Sequence, residues 1–337
     1  MNLKKKLVAE FANIAPFHAL GTAPTLEIQR LVKKEQQRGR VQLYLAQHVK
    51  TIPLYREELQ SDLKRDDIEL VILDNGAFEG GALDAVDLAQ LVNGLVLGHG
   101  EEWPVRKLAI IAPDFPGENP QLTVDGLHEL QEELSSRRLR ELVQIFYVPQ
   151  GRRGRVDDIC MQIKWLAESI EWHNSKGQKV DSGIVDGICF SILASPIAMD
   201  AKTSEEKMKS RLGLLGRLAE ADLASLQEVL ATKYVHWLGL FNAPGELWHV
   251  IEIADELEVS VSDLMNSFDS ASPWKAGFLG QLYEMSPLKW LAVPKPDVDV
   301  ITDPGVAWES KQQGVIGLLN CRYVRECAAA IRAEGAV

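Results

Sequence analysis

The sequence predicts an α/β fold, a (β/α)8 barrel, from three observations. Short apolar runs of strand character alternate with helical segments along most of the chain, the pattern of parallel strands with crossover helices. Roughly eight such units in 337 residues suit a closed barrel better than an open doubly wound sheet, which is the alternative. Several runs end at an acid or a glycine, as strands do when they deliver side chains to a barrel mouth. No repeat, low-complexity tract or linker divides the chain. One domain is therefore expected over 1–337, with the barrel core at about 40–295 and a helical extension at about 305–335.

Taken in order, Pro24–Arg40 reads as a polar helix with Leu26, Ile28, Leu31 and Val32 on its apolar side. Val41–Ala46 is a first strand, and charge-rich Tyr55–Asp66 is helical. Leu70-Val71-Ile72-Leu73 is a buried strand run stopped by Asp74. Asp84–Leu97 carries apolar residues near helical spacing. Lys107–Ala112 is a strand ending at Pro113-Asp114, followed by a helical Thr123–Arg140. Leu142–Val148 runs into Pro149-Gln150-Gly151, and Val156–Trp172 is an amphipathic helix. Ile184–Ile192 is a strand carrying Asp186-Gly187. Ser204–Leu218 and Ala221–Ala231 are helices, Tyr234–Leu240 a strand and Pro244–Leu257 a helix. A short stretch ends in Ser267-Phe268-Asp269-Ser270, Lys289–Val293 is a last strand, and Ala307–Ala333 is helical.

Composition narrows the class. Hydrophobic residues at 46% and charged ones at 25% are those of a globular protein. A net charge of −12 disfavours loose, sequence-blind binding to polyanions, though not a locally basic groove. Four scattered cysteines (Cys160, Cys189, Cys321 and Cys327) do not make a disulfide framework. No apolar run approaches the roughly 20 residues of a membrane helix. Met1–Lys6 is basic without the apolar stretch of a signal peptide. A cytoplasmic protein is expected, with no membrane association.

The chemistry gathers at the predicted strand ends: Asp74, Asp114, Gln150-Gly151, Gly187, Leu238-Gly239 and Asp269. Any one acid there is also a common turn or cap residue. Three carboxylates around one axis have no structural purpose in a barrel. Two of them suit attack on an anomeric carbon, one as nucleophile and the other moving protons. Asn75-Gly76 and Gly80-Gly81 allow close backbone approach, and Phe78 sits where a ring could stack.

These segments resemble a family. Asp74-Asn75-Gly76-Ala77-Phe78-Glu79 is similar to the Asp-Ser-Gly-Gly-Phe-Gln motif of tRNA-guanine transglycosylases. Ser267-Phe268-Asp269-Ser270-Ala271-Ser272-Pro273 looks like their Met-Phe-Asp-Cys-Val-x-Pro segment. Tyr234–Leu240 with Pro244–Leu247, Pro149-Gln150-Gly151 and Asp186-Gly187-Ile188 match further motifs in the family's order, over roughly residues 40–295. The wording is closer still to the DpdA branch, whose phage and bacterial members put 7-deazaguanine derivatives into DNA. The resemblance implies a (β/α)8 barrel that exchanges guanine in DNA for a free 7-deazaguanine base such as 7-cyano-7-deazaguanine. Asp269 would attack C1′ and Asp74 would act as general acid and base. Asp114, Gln150, Gly187, Ile188 and Gly239 would bind the base, with Phe78 and Leu238 sandwiching it. The target nucleotide has to be flipped or single-stranded for C1′ to be reached.

Departures shape the expectation. The tRNA enzymes' zinc-binding Cys-x-Cys-x-x-Cys run with a later His has no counterpart, so no metal or other cofactor is expected. Glu79 and Asp186 replace a Gln and a Gly of the family, which bears on the shape of the pocket; Asp186 is either a reader of a 7-substituent or a local cap. Arg152, Arg153 and Arg155, directly after Gln150, are the candidate phosphate contacts. Lys202, Lys207, Lys209 and Arg211 form a second basic segment, and His236 and His249 read as packed histidines rather than proton carriers. Dimers are common in the family, and the apolar residues of the C-terminal helix are interface candidates. The alternatives are an RNA-directed transglycosylase, a non-catalytic barrel that binds nucleic acid or a partner, and a hydrolase of free nucleosides.

Overall fold

The computed structural model describes residues 7–14, 39–77, 82–168, 170–240, 246–247, 249–270, 272–278, 283 and 308–334. Eight strands close into a barrel. In chain order they are β1 (Glu10–Ile14), β2 (Val41–Leu45), β3 (Leu70–Asp74), β4 (Leu108–Ile111) and β5 (Gln144–Tyr147). A two-stranded antiparallel ribbon, β6 (Trp172–His173) and β7 (Lys179–Val180), stands outside the barrel. The barrel resumes with β8 (Gly187–Ser191), β9 (Tyr234–Leu238) and β10 (Ser267–Asp269). Neighbours run β1-β10-β9-β8-β5-β4-β3-β2, and every one of these pairings is parallel. This is a TIM-like α/β architecture.

Alternation along each strand makes two cores. Leu70 and Ile72 join Leu43, Ile111, Val148 and Cys189 inside the barrel. Val71 and Leu73 instead meet the surrounding helices. Both faces are buried, which is why the strands read as unbroken apolar runs. The helices include α1 (Ala46–Thr51), α2 (Pro53–Lys64), α3 (Ala85–His99), α4 (Pro120–Ser136) and α5 (Val156–Glu168). After β8 come α6 (Ala194–Ala198) and α7 (Ser204–Thr232), then α8 (Val250–Glu256), α9 (Val261–Leu264), α10 (Ser272–Phe278) and α11 (Trp308–Glu334). The two helices predicted over 204–231 are present and meet at a break at Asp222 (φ −163°, ψ 84°), whose side chain accepts from Ser225 N at 3.1 Å. Trp165 and Trp237 lie in the core.

Three expectations need correction. The barrel begins at Glu10, well before residue 40, because β1 pairs with β2 on one side and β10 on the other. Ser267–Asp269 is itself the eighth strand of the barrel. The predicted strand Lys289–Val293 and the predicted helix Pro24–Arg40, all but its last two residues, lie outside the described residues.

The third correction concerns Asp186-Gly187-Ile188. Gly187 opens β8 opposite Tyr234, the first residue of β9, so this motif lies at the N-terminal end of the barrel, away from the mouth. Ile188 points outward into the helix-facing core. Asp186 is a clasp at that end. It accepts from Ile145 N at 2.9 Å and from Arg106 Nη2, with Arg140 at 3.5 Å. Gly187 is required by packing, since a Cβ there would lie 2.6 Å from the Phe146 ring and 2.9 Å from the Tyr234 carbonyl. Gly187→Ala is expected to cost about 1–3 kcal/mol by overpacking. A denaturant midpoint no lower than that of the parent protein would contradict this.

Candidate active site

At the C-terminal mouth the site is built in two halves. The first starts at Asp74, the last residue of β3, on the inward face shared with Leu70 and Ile72. The chain then turns at Gly76, whose φ of +81° favours glycine; a Cβ would lie 2.2 Å from Gln47 Oε1. Gly76 N donates to Asp74 Oδ1 at 3.1 Å. The Asn75 amide reaches across to the next strand, donating to Ala112 O and to Asp114 Oδ1, both at 2.7 Å. Gln150 Nε2 donates to the other oxygen, Asp114 Oδ2. The Asp114 carboxylate is thus held between two amides.

Gln150 is fixed in turn by Gln162 on α5. Gln162 Oε1 accepts from Gln150 N at 3.2 Å and from Tyr147 Oη at 2.6 Å, and Gln162 Nε2 donates to Gln150 O at 2.6 Å. The Gln150 Oε1 atom is buried with no hydrogen-bond partner among the described residues. An acceptor left in this state awaits a donor.

Burial pushes the Asp114 carboxyl up to about 6, against the opposing pull of its Asn75 and Gln150 hydrogen bonds. The sign follows from linkage. The folded state holds the Asp114 proton more tightly than the unfolded chain, so this group makes stability fall as pH rises from about 4 to about 6. The loss is about 3 kcal/mol. Asp114→Asn is therefore expected to gain in relative stability from pH 4 to pH 7, read as a widening difference in melting temperature. A constant difference across that range would count against the buried-acid account.

The second half centres on Asp269, the last residue of β10 and only 3% exposed. Its Oδ1 accepts from Gly239 N at 2.8 Å and lies 2.9 Å from His236 Nε2. His236 Nδ1 lies 2.8 Å from Ser267 Oγ, which accepts from Tyr234 Oη at 2.8 Å. Leu238 is half-buried at the end of β9, and Gly239 turns the chain with φ +67°. That turn is clasped by Arg211 on α7, whose Nη2 donates to Leu238 O at 3.0 Å and Gly239 O at 2.9 Å. Arg211 Nη1 pairs with Glu246 at 2.7 Å, both side chains 3% exposed. It also stacks over Trp237 at 5.3 Å.

One buried atom reports on both halves. The Cys189 thiol, inside the barrel on β8, is pushed up by burial and then by the charges of Asp74, Asp114 and Asp269. Asp74 and Asp269 are the last residues of β3 and β10, and Asp114 follows the end of β4. Gly187 and Ile188 are not at these C-terminal ends, and Phe78 lies outside the described residues.

The basic residues fare differently. Arg152 makes a two-pronged pair with buried Asp158, at 2.8 and 2.7 Å, and Arg153 pairs with Asp200 at 3.1 Å. Arg155 is exposed with no ion-pair partner among the described residues. Lys202 also faces Asp200, at 3.5 Å, and Arg211 belongs to the core rather than to a basic surface. His249 is exposed beside Glu252, whereas His236 touches Asp269 directly.

The sequence reading set His236 aside and grouped Arg211 with a basic segment. For His236 the signal was present, because Tyr234, His236 and Leu238 alternate on β9 beside Ser267 and Asp269 on β10. For Gln162 and Arg211 no local pattern gives the long reach to the mouth. Among the described residues no group of three or more His, Cys, Asp or Glu side chains could hold a metal ion, and the four cysteines are unpaired. No protein-family model matches the chain, and no curated protein matches it either.

Proposed function

We propose that this barrel exchanges a guanine base of DNA for a free 7-deazaguanine through a covalent intermediate on Asp269. The observation that carries the proposal is the mouth itself. Among the described residues, a carboxylate with one oxygen engaged and one without a partner sits across the barrel from an amide-braced acid and an unpartnered Gln150 Oε1. In the first half-reaction Asp269 Oδ2 forms a bond to C1′ as the bond from C1′ to the base nitrogen breaks. Asp74 gives its proton to the leaving nitrogen, so guanine departs neutral. In the second, the incoming base gives that proton back to Asp74 and its nitrogen displaces the Asp269 ester. Atoms and charge balance without a metal or redox partner.

The planar edge of guanine carries two donors, N1–H and N2–H. An ionised Asp114 and Gln150 Oε1 together accept such donors. Binding of the base should therefore strengthen as pH rises through about 6, where Asp114 ionises. Arg155 is the guanidinium left for a phosphate.

Denaturing electrophoresis and intact mass test the reading directly. The protein would be mixed with guanine-containing DNA, with RNA, or with guanosine, each together with 7-cyano-7-deazaguanine. A protein–DNA adduct and base exchange on DNA support the proposal. Exchange confined to RNA would redirect it to an RNA substrate.

A second reading has its own observation. Arg152 and Arg153 are neutralised by Asp158 and Asp200, and the chain carries −12, so the rim offers little to a polyanion. Turnover of free guanosine with none on either polymer would select a nucleoside enzyme and reject DNA as substrate.

A further inference from the structure

We infer that His236 is a positioning residue for Asp269, locked as its Nε2–H tautomer by Ser267 and Tyr234, and that this lock makes Oδ2 the bond-forming oxygen. The catalytic part of the inference rests on the base-exchange reading; the tautomer does not.

For a neutral imidazole the geometry leaves one arrangement that uses every proton of the chain. Tyr234 Oη donates to Ser267 Oγ at 2.8 Å. A serine hydroxyl has one proton. While accepting from Tyr234, it spends that proton on its other neighbour, His236 Nδ1, at 2.8 Å. Nδ1 is then an acceptor, and the ring proton sits on Nε2, which faces Asp269 Oδ1 at 2.9 Å. The opposite tautomer would turn a nitrogen lone pair onto a carboxylate oxygen. All four residues are buried, none more than 3% exposed, so water competes little for these bonds, and a second-partner hydrogen bond of this kind is what fixes an imidazole's tautomer.

The consequence falls on Asp269. Gly239 N adds a second donor to the same oxygen at 2.8 Å. Oδ1 thus carries two donors and Oδ2 none among the described residues. Two donors on one oxygen fix the carboxylate plane and leave the lone pairs of Oδ2 uncommitted. The unshared Oδ2 remains as the nucleophile. An imidazole suits this place because its two nitrogens span from Ser267 to Asp269 as a rigid unit.

The lock can be read without any substrate. Long-range proton–nitrogen NMR on nitrogen-15-labelled protein, with His236 assigned by its disappearance in His236→Gln, should show an unprotonated Nδ1 and a protonated Nε2. In Ser267→Ala the two tautomers should mix. A protonated Nδ1 in the parent protein would overturn the inference.

The catalytic arm uses single-turnover adduct formation. His236→Gln keeps an N–H directed at Oδ1 and should stay within about tenfold of the parent. His236→Phe removes it and should slow adduct formation about 100-fold with KM little changed, the size expected for a misplaced reacting group. Ser267→Ala, which keeps the histidine but takes the partner from Tyr234 Oη and His236 Nδ1, should slow the same step several-fold and lower the melting temperature modestly. Equal losses in the Gln and Phe variants would mean a packing role and defeat the inference. Absence of any adduct in the parent protein would defeat the base-exchange reading instead, and the NMR result would still decide the tautomer.

Discussion

Asp269→Asn is expected to abolish the covalent adduct and to lower base exchange by about 10³-fold or more. The substitution is close to isosteric. Asparagine keeps an oxygen to accept from His236 and Gly239, so the barrel end should hold its shape. It replaces the unshared Oδ2 by an amide nitrogen, which does not attack C1′. Asp74→Asn removes a proton carrier rather than a nucleophile. Exchange should fall by about 10²- to 10⁴-fold, the usual share of general acid–base catalysis, with an adduct still forming slowly. The double variant should be little worse than Asp269→Asn alone, because both residues act on the same step. The adduct is measured by intact mass after denaturation. An adduct forming in Asp269→Asn at the parent rate would remove Asp269 from the chemistry, whatever else the protein does.

Part of this was legible in the chain, and the physical reason lies in how local each signal is. Leu70–Asp74 announced itself because a strand buried on both faces is uniformly apolar, and its closing acid has to lie at the end. Asp114 and Gln150 followed by the same logic at the ends of β4 and β5. The Asp186 motif misled because Ile184–Ile192 is apolar for longer than the strand it contains. Pattern alone does not say where in that run the ladder begins. The ladder starts at Gly187, set by the Ile145 and Arg106 bonds to Asp186 and by the Phe146 ring over the glycine. β1 was illegible for a related reason. Its five residues are strand because β2 and β10 flank it, a fact separated from it by most of the chain.

The rim arginines show a different limit. Three cations in four residues look like a phosphate site when only the sequence is read. Asp158, in the first turn of α5, folds back to take Arg152 in both prongs and its backbone N–H as well. Charge near a site is therefore not charge available to it, and Arg155 alone of the three remains without an ion-pair partner among the described residues.

Arg211→Met carries the largest expected effect on stability, about 3–5 kcal/mol. Burial lowers the guanidinium's hold on its proton, while Glu246 and then Asp269 oppose that; the ion pair is what makes a cation tolerable there. Removing the arginine takes one buried ion-pair bond from Glu246 and the donors from Leu238 O and Gly239 O. The two losses can be separated. Replacing the pair together, Arg211→Met with Glu246→Met, removes the carboxylate along with its cation, and substitution of a buried pair by apolar groups is often close to neutral. The carbonyls of the turn would still lack their donor, at about 1–3 kcal/mol. The double variant is thus expected to recover part of the loss in denaturant midpoint, but not all of it. Because the same turn supplies Gly239 N to Asp269, adduct formation should stay slow in the double variant even where stability returns. Full recovery of both would mean that Arg211 serves only to neutralise Glu246. Stability restored with chemistry still impaired would identify the clasp on the Leu238–Gly239 turn as the means by which α7 holds the nucleophile in place.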